Sequence, residues 1–211
     1  MEPRRTPPEY FLEIFADSTT VRDVLKGILN LIFFHRYFPS IRPTTFDVLD
    51  FTLPAINDVD LETLIDTRVS SLVRQHLSSA AAGSNNVLDG GSGGVRGRIA
   101  VEFYEKKRRR PGMWFGGLAG MTGNGEEEVC WEIWTLDVTI ATPRTESERA
   151  KVRKAMENML QKAAFKILAV VNRDKDHIPP ITTSESNPFP YRIVLNPRGD
   201  SWQNRIGIGL Y

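Results

Sequence analysis

Five basic residues, Lys106, Lys107, Arg108, Arg109 and Arg110, stand together and run into Pro111-Gly112-Met113-Trp114-Phe115-Gly116-Gly117. Cations at that density suit three tasks. They can form the solvated end of a hairpin, with Glu126–Glu128 lying across from them on the returning strand. They can contact phosphate or anionic lipid, since basic residues beside Trp and Phe suit a membrane interface or a nucleic-acid strand. They can also serve as a nuclear address.

Trp114 and Phe115 raise a separate question. Pro111 and Gly112 precede them and Gly116 and Gly117 follow, so no helix or strand can run through the pair. Either the loop tucks both rings into the core, against the entropy of its glycines, or it displays them to a partner. Each ring can bury roughly 150–250 Å², worth together on the order of 10 kcal/mol at about 25 cal/mol/Å². Association costs roughly 4–15 kcal/mol. Displayed rings would therefore sustain a weak, recruiting contact.

Catalytic and metal chemistry find little support. His35, His76 and His177 lie in three different segments, and none has a second His or a Cys at metal-ligand spacing. No G-x-S-x-G occurs, and no glycine run ends in Gly-Lys-Ser/Thr. Cys130 is the single cysteine, set in an apolar strand pattern beside Trp131, and reads as a packed thiol. No cofactor, metal or enzymatic activity is expected.

The chain of 211 residues is 41% hydrophobic and 25% charged, with a net charge of +1 from 27 Lys+Arg and 26 Asp+Glu. That composition suits one globular domain over 1–211 and excludes a molecule that binds polyanions with its whole surface. The N-terminus lacks the apolar core of a secretory signal, and the most apolar run, Ile28–Phe34, is far shorter than a bilayer span. A cytoplasmic protein is expected.

The elements follow from periodicity. Tyr10–Phe15 reads as a strand. A helix capped by Ser18 or Thr19 carries Val21, Val24, Leu25, Ile28, Leu29 and Ile32 at helical spacing, and Pro39 stops it. Its second half is apolar nearly all round, so it should be deeply buried. Thr44–Pro54 looks extended. Asn57 or Asp58 caps a second helix with Leu61, Leu64, Ile65, Leu72, Val73 and Leu77 on its stripe, which fades into a flexible Gly/Ser-rich loop at 80–94. Val95–Lys107 alternates as a strand. Glu126–Thr142 is a second, with Trp134, Leu136, Val138 and Ile140 on one face and Trp131 and Ile133 on the other, which predicts a central position. The two form a hairpin around an aromatic loop at 108–126. Thr145–Glu148 is a capping box opening a helix to about Asn172. Tyr191–Leu195 and Arg205–Leu210 read as a final hairpin. The order predicts an α+β fold, helices packed on a mostly antiparallel sheet.

Several stretches taken in order carry a resemblance: "FFHR" at the end of the first helix, "VLDFT", "VEFYEKKRRRPGMWF" ahead of "CWEIWTLDV", and "VVNRDKDHIPPI" after the long helix. From about Tyr10 to Leu195 the chain resembles the autophagy-related protein 101 family of HORMA-domain proteins. The resemblance implies a HORMA fold and a non-catalytic adaptor. It implies pairing with the HORMA domain of autophagy-related protein 13 inside the autophagy initiation kinase complex, in the cytoplasm and at the phagophore assembly site. Trp114 and Phe115 would be the family's recruiting finger for downstream autophagy factors. His35, Arg36, Asp50, Phe51, Thr52 and Leu53 would lie on the pairing surface. The family's finger is often Trp-Pro-Phe, whereas here the two rings are adjacent. The chain ends at Tyr211, soon after the last strand, so no C-terminal embrace of a peptide is expected. No nucleic acid is expected as a partner. A peripheral protein that binds anionic membranes through 106–115 stands as the alternative.

Overall fold

The computed structural model describes residues 6–39, 42–82, 95–108, 126–181 and 187–197. Strand β1 (Glu9–Asp17) leads into helix α1 (Val21–Arg36). Thr20 occupies the cap position without a side-chain hydrogen bond to the helix. The expected cap at Ser18 or Thr19 is replaced by the Asp17 carboxylate, whose Oδ1 accepts from the backbone amides of Thr19 and Thr20, both at 2.8 Å. A carboxylate here also suits the positive end of the helix dipole.

The segment expected to be simply extended is a hairpin, β2 (Pro43–Val48) paired antiparallel with β3 (Phe51–Ile56). Val48 faces Phe51, so Leu49 and Asp50 form a two-residue turn, with Leu49 at a left-handed φ of 53°. Helix α2 (Val59–Ala82) follows, and Asp58 caps it by accepting from the Leu61 amide at 3.0 Å. Leu61, Ile65, Leu72 and Val73 are buried as the stripe requires, joined by Val69. The side chains of His76 and Leu77 lie outside the described residues.

Strands β4 (Val95–Arg108) and β5 (Glu126–Ala141) form the expected long hairpin, and α3 (Glu146–Arg173) leads on to β6 (Tyr191–Leu195). The capping box opens α3: Glu148 N donates to Thr145 Oγ1 at 3.2 Å, and Thr145 N to Glu148 Oε2 at 3.3 Å. The main sheet runs β1-β5-β4-β6. Only the β1–β5 pair is parallel among its described pairings. β5 is central, as its two apolar faces predict. The expected strand Arg205–Leu210 lies outside the described residues.

Three helices pack against this mostly antiparallel sheet, an α+β arrangement consistent with a HORMA-like fold. α1 sits deepest, touching β1, α2, α3 and both strands of the small hairpin. Val21, Val24, Leu25, Ile28, Leu29, Leu31, Ile32 and Phe33 are each no more than 1% exposed. The hairpin approaches α1 closely at Gly27, where a Cβ would stand 3.1 Å from Val48 Cγ1 and 3.2 Å from Leu53 Cδ1. No helix among the described residues is long and apolar enough to cross a membrane.

One strand face differs from expectation. The β4–β5 register shifts between Phe103 and Tyr104, leaving Trp131 as the extra residue on β5. Such a bulge re-aims a side chain. Trp131 consequently joins the core beside Phe103, at 5.6 Å between ring centroids, while Ile133 stays on the opposite face.

Candidate functional site

The end of α1 delivers His35 and Arg36 to adjacent positions with opposite environments. Arg36 is 3% exposed and turns inward. Its Nε donates to both oxygens of Glu132 on β5, at 2.9 and 3.0 Å, and its Nη2 to the Asp174 carbonyl at 3.1 Å. Glu132 is fully buried, and it also accepts from Trp134 Nε1. Nε2 of His177 lies 2.6 Å from Glu132 Oε2, which fits the tautomer that donates from this nitrogen. The Tyr10 hydroxyl donates to Asp174 Oδ2 at 3.0 Å. Burial, reinforced by Asp174, pushes the Tyr10 pKa up, while the Arg173 hydrogen bond leads in holding Asp174 down to about 2. Arg36, expected to face a partner, is therefore an internal residue: a buried guanidinium must find a carboxylate, and Glu132 supplies it.

His35 is half-buried, edge-on to Phe34 at 5.3 Å between centroids. Its Nε2 is buried without a hydrogen bond among the described residues. Desolvation first, and the Arg36 charge second, lower its pKa, so the ring is held neutral. The neighbouring Tyr37 hydroxyl donates to Asp58 Oδ2 at 2.8 Å, tying the end of α1 to the start of α2.

The second group of expected partner residues lies on the small hairpin. Asp50 and Thr52 are exposed, Phe51 is half-buried, and Leu53 is buried against α1. Asp50 accepts from Arg153 Nη2 of α3 at 3.3 Å, and Thr52 Oγ1 donates to Asp47 at 2.6 Å. Leu53 touches the neighbourhood of Gly27, whereas His35 lies eight residues further along α1, roughly 12 Å of helix. Of the six residues, Asp50 and Thr52 are exposed, His35 and Phe51 are half-buried, and Arg36 and Leu53 are buried.

The basic run ends the β4–β5 ladder. Lys106 stands opposite Glu128, Lys107 opposite Glu127 and Arg108 opposite Glu126. Lys107 Nζ lies 2.5 Å from Glu105 Oε1, and Glu128 pairs with Arg192. Arg109, Arg110, Trp114 and Phe115 lie outside the described residues, as does the side chain of Arg108. Burial pushes the Cys130 thiol up to about 12, which suits a packed thiol rather than a nucleophile. Among the described residues, no three His, Cys, Asp or Glu side chains gather into a metal site.

Glu132 was not singled out by sequence reasoning, although its signal is visible. A lone acidic residue sits between Trp131 and Trp134 in a strand apolar on both faces, and such a carboxylate needs an internal cation.

Comparison with known proteins bears on this arrangement. The family model for autophagy-related protein 101 matches residues 13–185, a span containing α1, both hairpins, Glu132 and His177. A curated relative of that name from Arabidopsis thaliana is 25% identical over 207 residues, covering 90% of this chain and 86% of the relative. One from Schizosaccharomyces pombe is 26% identical over 181 residues, covering 85% and 82%. The Homo sapiens protein is 25% identical over 175 residues, covering 82% and 75%. The matched span takes in most of the chain, and the chain belongs to the autophagy-related protein 101 family.

Proposed function

We propose that this chain is a non-catalytic HORMA adaptor of the autophagy initiation kinase complex, acting in the cytoplasm and at the phagophore assembly site. It pairs with the HORMA domain of autophagy-related protein 13 and presents Trp114 and Phe115 to downstream autophagy factors. The observation that carries the pairing is the β2–β3 hairpin. It is a two-stranded sheet separate from the main one, seated on α1 and exposed along Pro43–Thr45, Asp47 and Thr52. An isolated two-stranded hairpin is marginal in water. Here α1 supports one face, and the exposed side suits a second protein. Asp50, Phe51 and Thr52 offer that partner side chains, His35 extends the surface, and Arg36 and Leu53 brace it from within.

The test is a pull-down with the HORMA domain of autophagy-related protein 13. His35→Arg places a second cation beside Arg36 in a desolvated site and is expected to weaken pairing by on the order of a few kcal/mol. Binding of His35→Arg and Asp50→Ala at wild-type strength would sink the assignment. For the finger, Trp114→Ala with Phe115→Ala should leave pairing intact and abolish recruitment of later factors. Its stability loss should be far below the roughly 3–5 kcal/mol of a buried Phe or Trp. A large drop in melting temperature would mean that the rings belong to the core.

The membrane reading is weakened by the ladder, since acidic residues face Lys106, Lys107 and Arg108 across the strands. Sedimentation with anionic liposomes at about 150 mM salt should be weak.

A further inference from the structure

The Glu132 carboxylate has a role that pairing does not use. It is fully buried, and it is gripped from two segments far apart in the chain: Arg36, in the last turn of α1, and His177, in the connector that follows α3. The connector is held at further points. Arg36 Nη2 donates to the Asp174 carbonyl, and Asp174 accepts from Tyr10. The His177 ring lies between Tyr10 and Trp131, at centroid distances of 6.5 and 5.8 Å. Beyond the connector, Phe189 packs on both Trp131 and Phe38, the latter just past the end of α1.

We infer that Glu132 is a latch: one carboxylate joins the end of α1 to the connector after α3, so that the two segments open together. Lifting the connector removes the His177 contact and the Asp174 carbonyl in one motion. Arg36 then keeps Glu132, now open to water, and the long 3.5 Å contact of its Nη1 with the His35 carbonyl, and the last turn of α1 loosens with it. Conversely, fraying of α1 withdraws Arg36 and leaves a buried carboxylate short of its cation, a strongly unfavourable state. In this scheme Glu132 and His177 are positioning residues for the helix end. The latch works within the chain itself and needs no bound partner.

Residue-resolved hydrogen exchange on the intact chain tests it. The reporters are the amides of Ile178, bonded to the Lys175 carbonyl, and of Tyr37, bonded to the Phe33 carbonyl. His177→Ala is expected to speed exchange at both by about tenfold or more, the scale of one lost charge-assisted hydrogen bond. Amides of the β4–β5 ladder, such as Leu136, should keep their wild-type rates. His177→Gln, whose side-chain amide can donate to Glu132, should restore protection at both reporters. Faster exchange at Ile178 with Tyr37 unchanged would overturn the coupling. So would a uniform rise that includes Leu136, or a His177→Gln variant as labile as His177→Ala.

Discussion

Arg36 with Glu132 and Arg153 with Asp50 are the same chemical pair in two settings. The first is 2.9 Å apart with side chains 3% and 0% exposed; the second is 3.3 Å apart with side chains 58% and 70% exposed. In the interior the attraction is strong, yet so is the desolvation of both ions, so the two terms largely offset. At the surface, water and salt screen the attraction, and the pair can be exchanged for another partner at little expense. Charge type alone therefore does not mark a binding surface. His35 and Arg36 are adjacent in sequence, and of the two only His35 is partly exposed.

The comparison breaks most sharply at Glu132. Glu132→Gln keeps the shape and leaves the Arg36 charge buried without its counter-ion. Urea unfolding should show a loss of about 3–5 kcal/mol. A loss below about 1 kcal/mol would mean that water already reaches the pair. Adding Arg36→Met to Glu132→Gln should recover much of the loss, because the stranded cation is then gone.

A smaller effect is expected at His35. Burial and Arg36 hold its folded pKa below the ordinary 6.5, so the unfolded chain binds the proton more tightly. Stability from this group is complete above 6.5 and is lost as pH falls through that value toward the lower folded one. Unfolding curves collected from about pH 8 to about pH 5 should decline on the acid side, and His35→Gln should flatten that decline. Identical slopes for the two proteins would remove His35 from the account. The smallest effect belongs to Asp50→Ala, which should leave the urea midpoint of the lone chain unchanged while weakening pairing. A clear drop in the lone chain would show that its contact with Arg153 is structural.

Much of the fold was legible because strong periodicities carried it. The α1 stripe, the Thr145–Glu148 capping box and the central position of β5 all rest on local patterns, and the structure has them. The β2–β3 hairpin was not legible as a hairpin. Its turn is Leu49-Asp50, without the Asn-Gly or Asp-Gly that announces a two-residue turn. The two-residue turn demands a positive φ at Leu49, and its side chain packs against the core, a tertiary contact invisible in a sequence window. Trp131 was assigned to the wrong face because a bulge breaks the period of two. At the site, the inward turn of Arg36 was missed because Glu132 lies 96 residues away. Asp50 and Thr52, expected on a pairing surface, are solvent-exposed.

The parallel pairing of β1 with β5 has a consequence in time. Glu9 aligns with Ile133 and Asp17 with Ala141, so β1 must wait for a strand made roughly 120 residues later. At a synthesis rate of about 5–20 residues per second, that wait is on the order of 6–24 s. Throughout it α1, whose "ILNLIFF" is apolar except for Asn30, lacks the sheet that covers it. The nascent chain is therefore expected to need chaperones, and its yield in cells should be sensitive to how fast residues 126–141 are translated.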